Sequence, residues 1–398
     1  MTQDAISALG SALGLEFTTA PAGPHSTRYG ILATGSDRGL LLPTDNRRAA
    51  ATGVLRISNG QSQLKKMAVV AAWLGLRTGL IQRLSPRRRD PLYVDEPSSS
   101  TDDNLLAHLG AVVGREDLSF AMSVGPPRPN RKPVIQIIEP SGATVGFAKI
   151  GWNAVTSRLV RDEAGFLHAL DPDRLNRLEI PKVLHHGEWK GLVVTILSPI
   201  SFGPRALIRS VEPPAGVILE IAEMREGRQR TLLGDSGLVS RLRDQIGRLS
   251  SPTSELATAG LNQIIERYGQ LEAEVGLWHG DFGPWNVAPG RRGRFAVWDW
   301  ERAGGPQLIG MDLFHYHFQR EHFRGGRIDR SLDSASAGAR DTVSSIQGGD
   351  FPMGSIASVY LLERLLRYRE PGAAEPRGEL EVALSRLLED LGRLRIDD

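Results

Sequence analysis

The chain contains no cysteine among its 398 residues, which excludes disulfides, thiolate metal centres and cysteine nucleophiles. It has little lysine: six residues, at positions 65, 66, 132, 149, 182 and 190, so its basic side chains are mostly arginine. It has almost no net charge, because 48 basic residues face 46 acidic ones and leave +2. Such balance argues against a dedicated nucleic-acid binder, which concentrates unneutralised cations on one face. Long apolar runs are missing too. The longest, Met67 to Leu76, falls well short of a membrane span. With Lys65 and Lys66 before it and Arg83, Arg87, Arg88 and Arg89 after it, it reads either as a buried helix with a solvated basic end or as an interfacial helix on anionic lipid. The first 17 residues lack the charged start and apolar stretch of a secretory signal. A cytoplasmic protein without membrane association is expected. The 40% hydrophobic and 24% charged residues are those of a globular chain, and its length exceeds one typical domain.

What is present is concentrated between Leu277 and Ala303. Gly280, Gly283 and Pro284 interrupt regular structure there, so Asp281 and Asn286 stand on a tight loop that displays side chains. A strand over Arg294 to Trp300 follows, with Phe295, Val297 and Asp299 on one face and Ala296, Trp298 and Trp300 on the other. A carboxylate ending an apolar face is costly unless a positive charge meets it, and a metal ion would serve. Phosphoryl transfer needs this inventory: one carboxylate to orient an attacking hydroxyl, and hard oxygen ligands for Mg²⁺. Asp299 and the Asn286 amide oxygen suit the metal, which leaves Asp281 as the base.

The run His279-Gly280-Asp281-Phe282-Gly283-Pro284-Trp285-Asn286, followed by Trp298-Asp299-Trp300-Glu301, resembles the catalytic loop and metal motif of the aminoglycoside phosphotransferase and choline kinase family. Residue types, order and spacing agree, with Asp281 and Asn286 five residues apart and the two aspartates eighteen apart. The resemblance implies an α+β, protein-kinase-like bilobal fold: a small antiparallel-sheet lobe over residues 101–200 and a larger helical lobe over 201–398, preceded by an N-terminal extension of unknown role over 1–100.

The upstream sequence fits that plan. A helix over Asp103 to Val113 leads to strands over Leu118 to Val124, Pro133 to Ile138 and Val145 to Trp152, the last two joined by a tight turn. Lys149 shares a strand face with Val145 and Phe147, and on the next helix, Ala154 to Leu170, Glu163 falls inside the apolar stripe of Val155, Leu159, Phe166 and Leu170. A buried carboxylate and a buried lysine are tolerable as a pair. The resemblance implies that Lys149 holds the α- and β-phosphates of ATP while Glu163 fixes the lysine. The loop at 125–132 has one glycine and three prolines, so Arg128, Arg131 and Lys132 either replace by charge the amides of a glycine-rich phosphate cradle or line an ordinary solvated turn. Strands over Ile180 to Trp189 and Leu192 to Leu197 pair through Lys190-Gly191, and Ser198-Pro199-Ile200 looks like the hinge whose backbone binds adenine. Pro199 has no N–H, which leaves Ser198 and Ile200 as donors.

Within 1–100, Tyr29 to Thr34 and Gly39 to Thr44 read as a hairpin, Gln61 to Leu84 as one helix and Pro91 to Asp103 as a linker. In the larger lobe, helices are expected over Ser236 to Leu249, Ser254 to Glu274, from Met311, over Gly354 to Arg369 and over Arg377 to Leu394. Residues Gly325 to Asp350, rich in Gly, Ser, Asp and Arg, read as a mobile loop over the substrate. Two supporting positions complete the set: His279, beside the base, and Asp312, which family members use to brace the catalytic loop from behind and which serves equally as a helix N-cap. His315 and His317 point to different sides of one helix, which argues against a metal pair. His315, Glu321 and His322 could line an acceptor pocket, and Tyr360, Glu363 and Arg367 recur along one helix, where they either face the acceptor or serve packing and solvation.

The expected activity is ATP- and Mg²⁺-dependent transfer of phosphate to a hydroxyl of a small molecule, such as a sugar, amino alcohol, aminoglycoside or glycan precursor. Nucleotide and acceptor are the expected partners, without nucleic acid. Two rivals stand beside this reading. One is a catalytically silent nucleotide-binding scaffold. The other is a protein kinase, disfavoured because Gly280 stands where those enzymes usually carry Arg and Trp300-Glu301 follows Asp299 where they carry Phe-Gly.

Overall fold

The computed structural model describes residues 10, 13, 15, 17–19, 26–33, 39–55, 63–80, 92–95, 105–124, 130–200, 211–251 and 253–369. The chain is mixed α+β and divides into two compact units, one from Met1–Ala169 with Ile180–Arg209 and one from Leu170–Glu179 with Ser210–Asp398.

The first unit is organised on a nine-stranded sheet in the order β1-β4-β2-β3-β5-β6-β7-β10-β9, antiparallel throughout. Its strands are β1 (Phe17–Thr18), β2 (Ser26–Ala33), β3 (Gly39–Pro43), β4 (Leu92–Asp95), β5 (Ser119–Val124), β6 (Val134–Ile138), β7 (Thr144–Gly151), β9 (Val183–Trp189) and β10 (Leu192–Leu197); β8 belongs to the second unit. Alternation sorts the side chains between two faces. Leu41, Phe120, Met122, Ile135, Ile137, Ala148 and Ile150 join Leu105 and Leu109 of a helix over Leu105–Val113. Leu40, Leu42, Ala121 and Ile138 meet Ala49, Ala50 and Val54 of α1 (Arg47–Leu55) and Val69 of α2 (Gln63–Thr78). The helix over Leu105–Val113 is α3.

The expected hairpin in the extension is present, with β2 and β3 in register from Tyr29↔Pro43 to Ala33↔Gly39. The extension continues the sheet, because β3 pairs with β5 through Gly39↔Val124 and Leu41↔Met122. The linker reading of Pro91 to Asp103 is overturned in part: Leu92–Asp95 pairs with β1 and β2. Leu92, Tyr93 and Val94 are a short β-prone run whose partners lie far away in sequence, so the flanking Pro and Ser obscured it. The β9–β10 hairpin closes as expected through Lys190 (φ 46°) and Gly191 (φ 78°), the two positive φ angles that a two-residue loop of this hand requires. Val69 is buried under the sheet, while Met67 and Leu74 of α2 are exposed.

The second unit holds α5 (Ala215–Glu223), α6 (Gly237–Ile246), α7 (Thr253–Tyr268), α8 (Met311–His322), α9 (Ile328–Gln347) and α10 (Met353–Arg369); α4 (Ala154–His168) belongs to the first. Two small sheets accompany them: β11 (Gln229–Leu232) with β12 (Glu272–Trp278) and β15 (Gly304–Leu308), and β13 (Val287–Pro289) with β14 (Phe295–Val297) and β8 (Leu178–Glu179). The single helix expected over Ser254 to Glu274 ends at Tyr268, and Glu272 already belongs to β12. Gly269 accounts for the break, since a Cβ there would collide with the Ile265 carbonyl oxygen.

The mobile loop expected over Gly325 to Asp350 is instead the twenty-residue helix α9. Ser331, Leu332, Ala335, Ala339, Val343 and Ile346 form a buried stripe at three- and four-residue spacing. Most are small, and the period was hidden by their polar look. Gly338 lets α9 approach α8, because a Cβ there would sit 2.5 Å from the His317 ring. The helix expected over Arg377 to Leu394 lies outside the described residues. So do positions 125–129, including Arg128. Among the described residues no helix is long and apolar enough to cross a membrane.

Candidate active site

Backbone pairing in the second unit explains why Asp281, Asn286 and Asp299 come together. β12 delivers the chain to Trp278, the loop 279–286 follows, and β13 then pairs antiparallel with β14 through Val287↔Val297. The ladder extends one step further, as Trp298 N–H donates to the Asn286 carbonyl at 3.1 Å. Two positions distant in sequence thereby become neighbours at one end of a short hairpin.

The strand expected over Arg294 to Trp300 is shorter, ending at Val297, and Phe295, Ala296 and Val297 are all buried. The two-faced pattern is therefore not realised. Asp299 lies beyond the strand with φ +69°, a left-handed conformation that a non-glycine residue holds only when its surroundings impose it. Its carboxylate and that of Glu301 bring oxygens within 4.8 Å of each other. Glu301 stands in the quoted motif, but no role was expected for it, because its neighbourhood to Asp299 depends on this backbone turn.

The loop itself is held from three sides. Asp312, in the first turn of α8, accepts from the N–H of His279 at 2.7 Å and of Gly280 at 3.2 Å. The helix N-cap is Gly310, without a side-chain bond, so Asp312 is not the N-cap and its carboxylate meets the backbone of residues 279 and 280 instead. Burial pushes its carboxyl up to about 7, against the two amide donors and Arg367. Gly280 has φ +80°, and a Cβ would collide with the Arg302 carbonyl oxygen, so no larger residue fits.

His279 is fully buried. Its Nδ1 accepts from the Asp281 N–H at 3.2 Å and its Nε2 lies 3.0 Å from the Trp298 carbonyl, a pattern satisfied by a neutral ring protonated on Nε2. It thus ties the Asp281 backbone to the segment that leads to Asp299.

Asp281 is partly exposed, with 29% of its side chain accessible. Asn286 Nδ2 donates to its carbonyl oxygen at 2.8 Å and to Oδ2 at 3.1 Å. Oδ1 lies 3.3 Å from His315 Nε2 and 3.9 Å from an Arg367 nitrogen. Burial alone would raise the carboxyl, but the hydrogen bond from His315 and the charge of Arg367 oppose it, and Asp281 is held well below the usual carboxylate range. Because both Asn286 donors are directed at Asp281, its amide oxygen is the end turned elsewhere. An amide oxygen, Asp299 and Glu301 make a hard-oxygen donor set, the type that fits Mg²⁺.

Arg367 and Tyr360 come from α10. Arg367 donates to the Gly280 carbonyl at 2.6 Å and lies over the Trp278 ring; Tyr360 O–H is 3.0 Å from His315 Nδ1. Arg367 thus contacts the loop itself, whereas Tyr360 packs against Phe314 and Phe318 and reaches the loop only through His315. Glu363, between them, pairs with Arg241 and accepts from Gln307 at 2.7 Å. His315 and His317 do diverge: His317 lies 3.2 Å from Glu212.

In the first unit Lys149 Nζ donates to Glu163 Oε1 at 2.7 Å and to Oε2 at 2.5 Å. They are 7% and 0% exposed, as the apolar stripe implied. The pairing is set by where α4 starts: Asn153 caps it and accepts from Thr156 N–H, and Thr156 returns the bond to the Asn153 N–H. Glu163 then falls on the face packed against β7. Ser198 cannot serve as the expected hinge donor, because its N–H bonds the Lys182 carbonyl at 2.8 Å and its hydroxyl accepts from Lys182 N–H at 2.8 Å; these bonds end the β9–β10 ladder. Ile200 and Lys132 are half-buried, and the Arg131 carbonyl accepts from Trp152 Nε1 at 2.8 Å.

No family model matches the chain, and no curated protein sequence does. Among solved structures the chain is similar to the apo form of a thermostable mutant of the aminoglycoside phosphotransferase APH(4)-Ia, with 16% identity over 73% of this chain and 99% of that one and a TM-score of 0.47. It is similar to the macrolide 2'-phosphotransferase type I at 14% identity over 74% and 99% of the two chains, with a TM-score of 0.43. It is also similar to the choline kinase LicA from Streptococcus pneumoniae, with 13% identity, 66% and 90% coverage and a TM-score of 0.40.

Proposed function

We propose that the chain is a small-molecule kinase, transferring the γ-phosphoryl group of ATP to a hydroxyl in the presence of Mg²⁺. The observation that carries this reading is the arrangement around Asp281: a half-buried carboxylate, held at both oxygens and kept ionised, on a loop braced through backbone atoms by Asp312, His279 and Arg367.

Asp281 acts as the base. The acceptor oxygen forms a bond to the γ-phosphorus as the bond from that phosphorus to the β,γ-bridging oxygen breaks, the electron pair leaving with ADP. The hydroxyl proton passes to the Asp281 carboxylate and then to solvent. A carboxylate of low basicity suffices, because in a loose transition state the proton leaves late. Most of the acceleration is positioning, for which a preorganised loop can contribute roughly 7 to 11 kcal/mol. Asn286, Asp299 and Glu301 would hold Mg²⁺, which when bound neutralises charge on the transferring group. Lys149, fixed by Glu163, would neutralise the remaining phosphates, with Arg131 and Lys132 as auxiliary cations. The hinge contact would be left to Ile200.

The test is transfer of label from γ-labelled ATP to a library of hydroxyl-bearing metabolites, with a protein extract in parallel. Mg²⁺-dependent label is expected on a small molecule. Label on protein alone would establish the protein-kinase alternative, and nucleotide binding without transfer or slow hydrolysis would establish the silent scaffold.

A further inference from the structure

The proposed reaction needs only a base at position 281, yet two further polar side chains run from that base into the interior. His315 and Tyr360 are each 1% exposed. The Tyr360 hydroxyl lies 3.0 Å from His315 Nδ1, and His315 Nε2 lies 3.3 Å from Asp281 Oδ1. His315 stands three residues after Asp312 on α8, so one face of that helix both braces the loop backbone and reaches the loop's carboxylate. Tyr360 stands seven before Arg367 on α10, so that helix likewise delivers two groups to one loop.

One proton arrangement satisfies the whole chain. Asp281 is an acceptor, so Nε2 carries the ring proton and donates to Oδ1. Nδ1 is then the acceptor, and it takes the Tyr360 O–H. Packing does not require this chain, since apolar side chains of similar size would fill the space without a buried polar network. Each member has its role fixed by the next, and the series ends on a carboxylate that reaches solvent.

We infer that His315, with its tautomer set by Tyr360, is a positioning residue that fixes the rotamer of Asp281 by donating from Nε2 to Oδ1 while Asn286 fixes Oδ2. The inference rests on the reading of Asp281 as the base. His315 does not take the substrate proton, because its Nε2 already bears one; it holds the carboxylate plane so that the lone pair facing outward keeps one direction.

The experiment uses the full chain and ATP·Mg²⁺ alone, reading slow transfer of the γ-phosphoryl group to water. His315→Phe is expected to lower kcat for hydrolysis roughly 10- to 100-fold, the size of a positioning defect near 1 Å, with KM for ATP changed less than about twofold. His315→Gln, which keeps a donor near Nε2, is expected to recover most of that loss, and Tyr360→Phe to show a smaller loss of the same kind. Nitrogen-15 resonances of the unsubstituted protein should show His315 as a neutral ring protonated on Nε2, with that proton's resonance moved in Asp281→Ala. These spectra and the two milder variants decide the matter even where His315→Phe fails to fold. An unsubstituted rate in folded His315→Phe, equal losses in the Phe and Gln variants, or a ring protonated on Nδ1 would overturn the inference. Asp281→Ala hydrolysing ATP at the unsubstituted rate would overturn the parent reading instead, whatever the His315 variants do.

Discussion

Asp281→Ala is expected to reduce phosphoryl transfer by roughly 10²- to 10⁴-fold, the usual contribution of a positioned base, while the dissociation constant for ATP·Mg²⁺ stays within a few-fold of the unsubstituted protein. The separation follows from how the loop is built. Its backbone is held by Asp312, His279 and Arg367 through the N–H groups of His279, Gly280 and Asp281 and the carbonyl of Gly280, none of which requires the Asp281 side chain. Asn286 keeps its bond to the residue 281 carbonyl at 2.8 Å when the carboxylate is gone. Asp281→Asn is a less clean variant. The donors at Asn286 Nδ2 and His315 Nε2 flank both carboxylate oxygens, so an amide nitrogen would meet a donor on one side or the other. Single-turnover kinetics alongside nucleotide titration separates the effects, and a parallel loss of binding and rate in Asp281→Ala would contradict the assignment.

The second large effect is expected at Glu163. Removing one partner of a buried ion pair leaves the other charge in a poor environment, with a penalty of about 3 to 5 kcal/mol. Lys149 is 7% exposed, so Glu163→Ala falls in this class. For a unit of this size the same figure corresponds to a fall in Tm of roughly 10 °C. The double replacement Lys149→Met with Glu163→Leu should restore most of that stability, because a well-packed apolar pair often equals or exceeds a buried ion pair. It should not restore nucleotide affinity if the lysine serves phosphates. Thermal melting and calorimetric titration of both variants would show it: recovery of both properties in the double variant makes the pair purely structural.

What could be read from the chain in advance depended on how local the cause was. The loop 279–286 was legible because Gly280, Gly283 and Pro284 interrupt regular structure within a few residues and leave polar groups displayed. Lys149 and Glu163 were legible because strand and helix periods each put a charge on an apolar face. The 254–274 reading failed where a close backbone approach at Gly269 ended the helix. Residues 325–350 were misread because small residues can form a core stripe without looking apolar. The linker around Leu92 concealed a strand whose partners, β1 and β2, lie some sixty residues or more earlier. Glu301 was given no role, and the contacts of His315 and Tyr360 were not foreseen, because they exist only where separate elements meet around Asp299 and Asp281.

The most direct measurement is isothermal titration of ATP into the unsubstituted protein and Asp299→Ala, each with Mg²⁺ and with chelator. The account predicts Mg²⁺-dependent binding in the unsubstituted chain and a loss of more than about tenfold in Asp299→Ala, because a divalent ion loses one of its few charged ligands. Equal Mg²⁺-dependent affinity in both proteins, or no nucleotide binding in either, would contradict it.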